Sequence, residues 1–207
     1  MEVVIFCGGL GTRMREETEF KPKPMVEIGD KPILWHLLKT FSYHGFNEFI
    51  FTLGYNGAVI KEYFLNYKLF ESTITINVGK PDTVTFHEPP EDPNWQITLV
   101  DTGRDTLKAG RLKRVENYIN GEKFIVTYGD GLSDINLNDL CEFHNSHGKL
   151  ATITGINPSS MFGKLIIEGN KVIEFQEKPT DTQNFVNGGY FVFDRRILDF
   201  LTDNNSM

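Results

Sequence analysis

Val3-Val4-Ile5-Phe6-Cys7-Gly8-Gly9-Leu10-Gly11-Thr12-Arg13 stands almost at the start of the chain, and its reading decides the fold. Four apolar residues without polar alternation describe a strand buried on both faces, as in the interior of a parallel sheet. The glycines Gly8, Gly9 and Gly11 let the main chain come close to a ligand and offer successive N–H groups to phosphate oxygens. Arg13 adds a planar cation that can grip two phosphate oxygens at once. A dinucleotide site also begins with a strand and a glycine turn. Its third glycine, however, would fall at Met14 here, so that fingerprint is incomplete.

Outward from this strand, apolar runs alternate with helical periodicity. Ile33, Leu34, Leu37, Leu38 and Phe41 recur at helical spacing behind Pro32, which suits a first helical position. Glu48 to Leu53 reads as a strand, and Val59, Ile60, Tyr63, Phe64 and Tyr67 as a second helical face. A strand at Phe124 to Tyr128, a helix from Asn138 to His147 and a strand at Ala151 to Ile156 follow. A last strand at Tyr190 to Phe193 precedes a short helix at Ile197 to Leu201. Strands alternating with helices predict right-handed crossovers and a doubly wound, mostly parallel α/β sheet. Two segments break the alternation. Residues 73–101 hold Thr83 to Phe86 and Gln96 to Val100 among prolines, and residues 163–176 form a hairpin turning at Gly169-Asn170. Both are expected as small antiparallel insertions at the rim, within one domain covering 1–207.

The charge balance narrows the function. A net charge of −7 leaves no global field to attract nucleic acid or an anionic membrane, so a site for anionic small molecules must concentrate its cations locally. No apolar stretch approaches the roughly 20 residues needed to span a bilayer. Cys7 and Cys141 suggest buried thiols in a reducing, cytoplasmic setting rather than a disulfide framework. The five histidines show no metal-ligand spacing.

Local cations do occur. In Lys21-Pro22-Lys23-Pro24-Met25 the prolines on both sides of Lys23 hold the backbone extended and restrict where that lysine points. Arg111 follows Gly110 at the start of a helix read from Gly110 to Ile119, and an arginine at a helix N-terminus suits a phosphate or a base edge. Asp130 lies between Gly129 and Gly131 just past the strand ending at Tyr128, where open α/β sheets place their ligands. A carboxylate there can hold Mg²⁺, or it can simply be part of an Asp-Gly turn.

Gly9-Leu10-Gly11-Thr12-Arg13 combined with Pro22-Lys23-Pro24 resembles the signature loop of the sugar-1-phosphate nucleotidyltransferases. Leu99 to Gly103, Gly110 to Arg114, Thr127 to Gly131, Glu177-Lys178-Pro179 and Asn187 to Phe191 are similar to the glucose-1-phosphate cytidylyltransferase branch, so the likeness runs along the whole chain. The resemblance implies Mg²⁺-dependent transfer of a cytidylyl group from CTP to a sugar 1-phosphate, on a Rossmann-like nucleotidyltransferase fold. It implies Arg13, Lys23 and Asp130 as catalytic residues, with Asp130 the metal ligand. Gly8, Gly9, Gly11, Thr12, Arg13, Lys23, Thr106, Arg111 and Gly129 would contact the nucleotide, and Glu177, Lys178, Asn187 and Gly188 the sugar phosphate. A homo-oligomer is also expected, in which a partner subunit covers apolar surface otherwise left open. Another nucleotide, another phosphorylated acceptor, and a catalytically weak nucleotide-binding domain stay open. The resembling enzymes carry a second metal-binding aspartate in a later segment, and the sequence ends at Met207 before any equivalent.

Overall fold

The computed structural model describes residues 1–9, 21–79, 83–87, 93–158, 164–176 and 185–202. Along the chain come β1 (Val3–Phe6), a 3-10 turn at Lys23–Met25, the two-residue strands β2 (Glu27–Ile28) and β3 (Lys31–Pro32), α1 (Ile33–Tyr43) and β4 (Glu48–Leu53). Next are α2 (Gly57–Leu65), α3 (Tyr67–Glu71), β5 (Thr73–Ile76), β6 (Val84–His87), β7 (Gln96–Asp101), α4 (Lys108–Arg114) and β8 (Lys123–Tyr128). The described chain ends with α5 (Leu137–His147), β9 (Ala151–Ile156), β10 (Lys164–Glu168), β11 (Lys171–Gln176), β12 (Val186–Asp194) and a 3-10 segment at Arg195–Phe200.

Six strands form the main sheet in the order β7-β4-β1-β8-β12-β9. β7, β4, β1 and β8 run parallel, while β12 is antiparallel to both β8 and β9. The expectation of a doubly wound, mostly parallel sheet is met. Alternation along the strands explains why both faces are covered. Val3 and Ile5 join Phe49, Phe51 and Ile125 in a core closed by α1 and α2, whereas Val4 and Phe6 join Ile50, Phe124 and Val126 in a second core with Leu112, Val115 and Ile119. In α1 the buried set is Leu34, Leu37, Leu38 and Phe41, the spacing that puts one stripe on the sheet.

Three sequence expectations change. Gln96–Asp101 is no antiparallel insertion: it pairs in parallel with β4 from Glu48↔Gln96 to Leu53↔Asp101, as the edge strand of the main sheet. The insertion between them is the separate antiparallel pair β5–β6. Pro32 sits at the N-cap of α1 rather than inside its first turn, and the helix's first N–H is satisfied by Val26 O at 2.8 Å. The helix read from Gly110 to Ile119 begins earlier, at Lys108, and gives way to a 3-10 turn at Glu116–Tyr118. The hairpin expected over 163–176 is present as β10–β11. Among the described residues no helix is long and apolar enough to cross a membrane.

The order β4-β1-β8 has a functional consequence. β4 is the next main-sheet strand after β1 and lies on one side of it, while β8 lies on the other, so the chain's direction of winding reverses beside β1. The carboxyl ends of β1 and β8 therefore bound a crevice at a topological switch point.

Candidate active site

A cleft of about 470 Å³ opens at that switch point, lined by Gly8 and Gly9 after β1, by Tyr128 and Asp130 at the end of β8, and by the segment from Arg104 to Lys108 leading into α4. The sequence alone points to Gly8, Gly9, Thr106, Arg111 and Asp130 among the lining residues. Gly11, Thr12, Arg13, Glu177 and Lys178 lie outside the described residues.

The structure joins two predicted site residues. Lys23 Nζ forms an ion pair with Asp130 Oδ2, both side chains being about one-third exposed. Packing explains the contact. Pro22 is extended, but from Lys23 to Met25 the backbone turns instead of remaining extended, with Met25 N–H donating to Pro22 O at 2.8 Å. Pro24 and Met25 are buried, and Pro24 lies against Gly129: a Cβ on Gly129 would sit 2.7 Å from Pro24 Cγ and 3.1 Å from both Cys7 Sγ and Phe6 O. A bare backbone at 129 thus lets the proline loop press against the end of β8, which sets Lys23 beside Asp130. Gly129 N–H in turn donates to Phe6 O at 3.0 Å. Tyr190 from β12 fixes the next residue but one by donating its hydroxyl to Gly131 O at 2.8 Å, and burial pushes this phenol up to about 12, so it remains a donor at neutral pH.

Arg111 occupies a different position from the one its sequence context suggests. It lies inside α4, not at its N-terminus, and is buried beneath the glycine loop. Nη1 donates to Leu53 O at 3.0 Å and Thr102 Oγ1 at 2.7 Å, and Nη2 donates to Gly8 O and Arg104 O, each at 3.0 Å. The guanidinium thereby ties together the ends of β1, β4 and the loop after β7. Gly8 makes room for it, since a Cβ there would fall 2.1 Å from Nη1, and Gly54 does the same at 2.8 Å. Burial, then the charge of Arg114, lowers its pKa.

The remaining predicted residues take their places around this floor. Thr106 lines the cleft and its Oγ1 accepts from Arg114 Nη1 at 2.8 Å. Asn187 and Gly188 lie at the start of β12, where Asn187 Nδ2 donates to Tyr128 Oη at 3.2 Å. That hydrogen bond links the sugar-side candidates to the cleft. Sequence reasoning assigned no role to Tyr128 or Lys108, both of which line it. Tyr128 stands within Tyr128-Gly129-Asp130, so its place at the strand's end was visible, but its partners come from α4 and β12 and were not. Cys7 is buried behind Asp130, and burial, followed by the negative charge of Asp130, pushes its thiol well above the usual range, so it stays an inert packing group.

The donor set suits phosphate chemistry. A glycine turn, a lysine and a carboxylate converge at the end of two parallel strands, and among the described residues no cluster of three or more metal-ligating side chains competes with Asp130. Comparison with known proteins agrees. The model of the family described as nucleotidyl transferase matches residues 2–207. The chain is 48% identical to the glucose-1-phosphate cytidylyltransferase of Salmonella typhi over 207 residues, covering 100% of this chain and 79% of that protein. It is 45% identical to the probable glucose-1-phosphate cytidylyltransferase of Bacillus subtilis (strain 168) over 208 residues, covering 100% of this chain and 80% of that one. HddC from Yersinia pseudotuberculosis, in its crystal structure complexed with GMP-PN, superposes with a TM-score of 0.69 at 25% identity, over 99% of this chain and 82% of that one. With a family match along its whole length and relatives at this identity, the chain belongs to the nucleotidyl transferase family and is a nucleotidyltransferase.

Proposed function

We propose that the enzyme transfers a cytidylyl group from CTP to a sugar 1-phosphate, α-D-glucose 1-phosphate first among them, and releases pyrophosphate. The ion pair of Lys23 with Asp130 at the switch-point cleft carries this reading, in a chain 48% identical to a glucose-1-phosphate cytidylyltransferase. An oxygen of the sugar phosphate attacks the α-phosphorus of CTP, a new P–O bond forms, and the bond to the departing pyrophosphate breaks with its electron pair leaving on that group. The reaction brings two anions together, so the protein's task is to position them and to offset charge, with no covalent intermediate.

The residues divide this task. The N–H groups of the Gly8-Gly9 turn face the triphosphate, Lys23 exchanges its carboxylate partner for phosphate oxygens, and Asn187 and Gly188 border the acceptor. Arg13, Thr12 and Gly11 complete the nucleotide side in this proposal, and Glu177 with Lys178 the sugar-phosphate side. Thr106, Gly129 and Arg111 shape the nucleotide pocket, Arg111 through the carbonyls it holds. Mg²⁺ fits this donor set, because the ion favours one or two carboxylates with phosphate oxygens and water, and Asp130 offers a partly exposed carboxylate at the strand's end. Bound there, Mg²⁺ would offset negative charge on the phosphates. A homo-oligomer belongs to the same reading, since the β10–β11 hairpin leaves Leu165, Ile167, Val172 and Phe175 about half exposed.

Pyrophosphate release measured with each of four nucleoside triphosphates against a panel of sugar 1-phosphates tests the proposal. CTP with glucose 1-phosphate should give the highest kcat/KM. A preference for dTTP or UTP would overturn the cytidylyl assignment, and nucleotide binding without turnover would reduce the chain to a binding domain.

A further inference from the structure

Lys108 opens α4 at the rim of the cleft, and its surroundings differ from those of the cations already described. Lys23 is paired with Asp130, Arg111 is held by carbonyls, and Arg104 leans over the ring of Tyr55 with 5.4 Å to the centroid. Lys108 is exposed, and among the described residues no carboxylate stands within ion-pair distance of it. Its ammonium instead lies over the ring of Tyr128, 4.7 Å from the centroid, and donates to the Tyr128 hydroxyl at 3.2 Å. Cation–π contact with a ring that itself lines the cleft holds the charge at the opening without neutralising it.

The hydrogen-bond inventory makes the cluster one-sided. Tyr128 Oη accepts from Lys108 and, at 3.2 Å, from Asn187 Nδ2, and among the described residues nothing accepts from the phenol's own O–H. Asn187 Oδ1 already accepts from Gly189 N–H at 2.8 Å, and its amide keeps a second N–H to donate. Lys108 keeps two further N–H groups. What the trio has left to offer is therefore chiefly donors and one positive charge. An apolar or cationic ligand would leave these groups unmatched, whereas a phosphate group accepts from all of them.

We infer that Lys108 is a substrate-contacting residue that binds a phosphate group in the cleft, and that Tyr128 is the positioning residue that aims it. This rests on the nucleotidyl-transfer reading of the site. The phosphate can come from the triphosphate or from the sugar phosphate, and the two are separable by experiment.

Lys108→Met keeps the length of the stem and removes the charge, Lys108→Arg restores a cation, and Tyr128→Phe keeps the ring and removes the hydroxyl. With CTP and glucose 1-phosphate varied in turn, Lys108→Met should raise KM for one substrate by roughly tenfold or more, the loss of one charge-assisted hydrogen bond, with kcat little changed. A rise for CTP assigns the triphosphate and a rise for glucose 1-phosphate assigns the acceptor. Lys108→Arg should recover most of the loss, and Tyr128→Phe should raise the same KM by less. Unchanged KM values for both substrates in Lys108→Met, or a Tyr128→Phe effect confined to the other substrate, would overturn the inference. Calorimetric titration with inorganic pyrophosphate and with glucose 1-phosphate keeps this separate from the choice of nucleotide. Weaker binding of either probe by Lys108→Met supports the inference even if CTP proves to be the wrong donor, and equal behaviour of the two proteins toward both probes refutes it.

Discussion

The floor and the rim of the cleft use positive charge in opposite ways. On the floor, Arg111 is buried and its terminal nitrogens donate to three main-chain carbonyls and one hydroxyl. On the rim, Lys23 and Lys108 are partly or largely exposed, one held by a carboxylate and the other by an aromatic ring. A guanidinium suits the first place because its planar fork satisfies several fixed acceptors at once, and an ammonium the second because its donors turn freely toward an arriving ligand. A cation near a nucleotide site is therefore not by itself a ligand-binding cation. The number of internal acceptors it already serves distinguishes the two kinds.

Substitutions can break this comparison, and the floor should yield the largest effect. Arg111→Met leaves the carbonyls of Gly8 and Arg104 short of a donor and opens a cavity beneath the glycine loop, which should cost about 3 kcal/mol or more in stability, read as a fall in melting temperature together with lost activity. An Arg111→Met protein as stable as the parent would show that the floor is not held by this residue. Next, Lys23→Ala should lower kcat by roughly 10²–10³, about 3–4 kcal/mol of transition-state stabilisation, by analogy with removal of one preorganised donor. Its melting temperature should barely move, since the ion pair with Asp130 is partly exposed and contributes little to folding. A large thermal shift with full turnover would reverse the roles assigned to floor and rim.

Gly129→Ala probes the join between the two regions. Its new Cβ would meet Pro24, Cys7 and the main chain of Phe6, so the proline loop must move, at about 1–3 kcal/mol, and Lys23 should lose its place beside Asp130. Melting temperature by differential scanning calorimetry and turnover should fall together in this variant, unlike in Lys23→Ala. The smallest effect lies far from the cleft. His144 is buried and accepts or donates at Thr152 Oγ1 through Nδ1 at 2.8 Å, while His147 meets the same hydroxyl at 2.7 Å. Burial first, then the charges of Lys123 and His147, lowers the pKa of His144 below its ordinary 6.5. Because the folded state resists this protonation, the associated stability is present above pH 6.5 and is lost as the pH falls through the depressed value. Melting temperature should decline modestly below pH 6.5 in the parent and less in His144→Gln, with cleft residues unchanged.

How far the sequence reveals this arrangement depends on whether the partners are local. β1 and β4 coincide with their apolar runs because strands covered on both faces have little polar alternation to blur them. α1 is legible from Leu34, Leu37, Leu38 and Phe41 because their helical spacing marks one buried stripe. Gln96–Asp101 is harder to place: its residues are only partly buried, prolines precede it, and nothing within the segment announces a parallel partner at Glu48–Leu53. Lys23 and Asp130 can each be named from their flanking glycines and prolines, but their contact depends on Pro24 packing against Gly129. Arg111 was the least legible. Its partners are main-chain carbonyls, which every residue possesses, so no pattern of side chains marks a floor arginine apart from a phosphate-binding one.

The space that Arg111 fills also constrains how such a protein can change. Any side chain at position 8 or 54 would collide with the guanidinium, and shortening residue 111 first would strand the Gly8 and Arg104 carbonyls. Each single step away from this trio is harmful by itself, whichever is taken first. Gly8, Gly54 and Arg111 are thus locked by mutual epistasis, and a lineage could replace them only by passing through an unstable intermediate or by altering all three together.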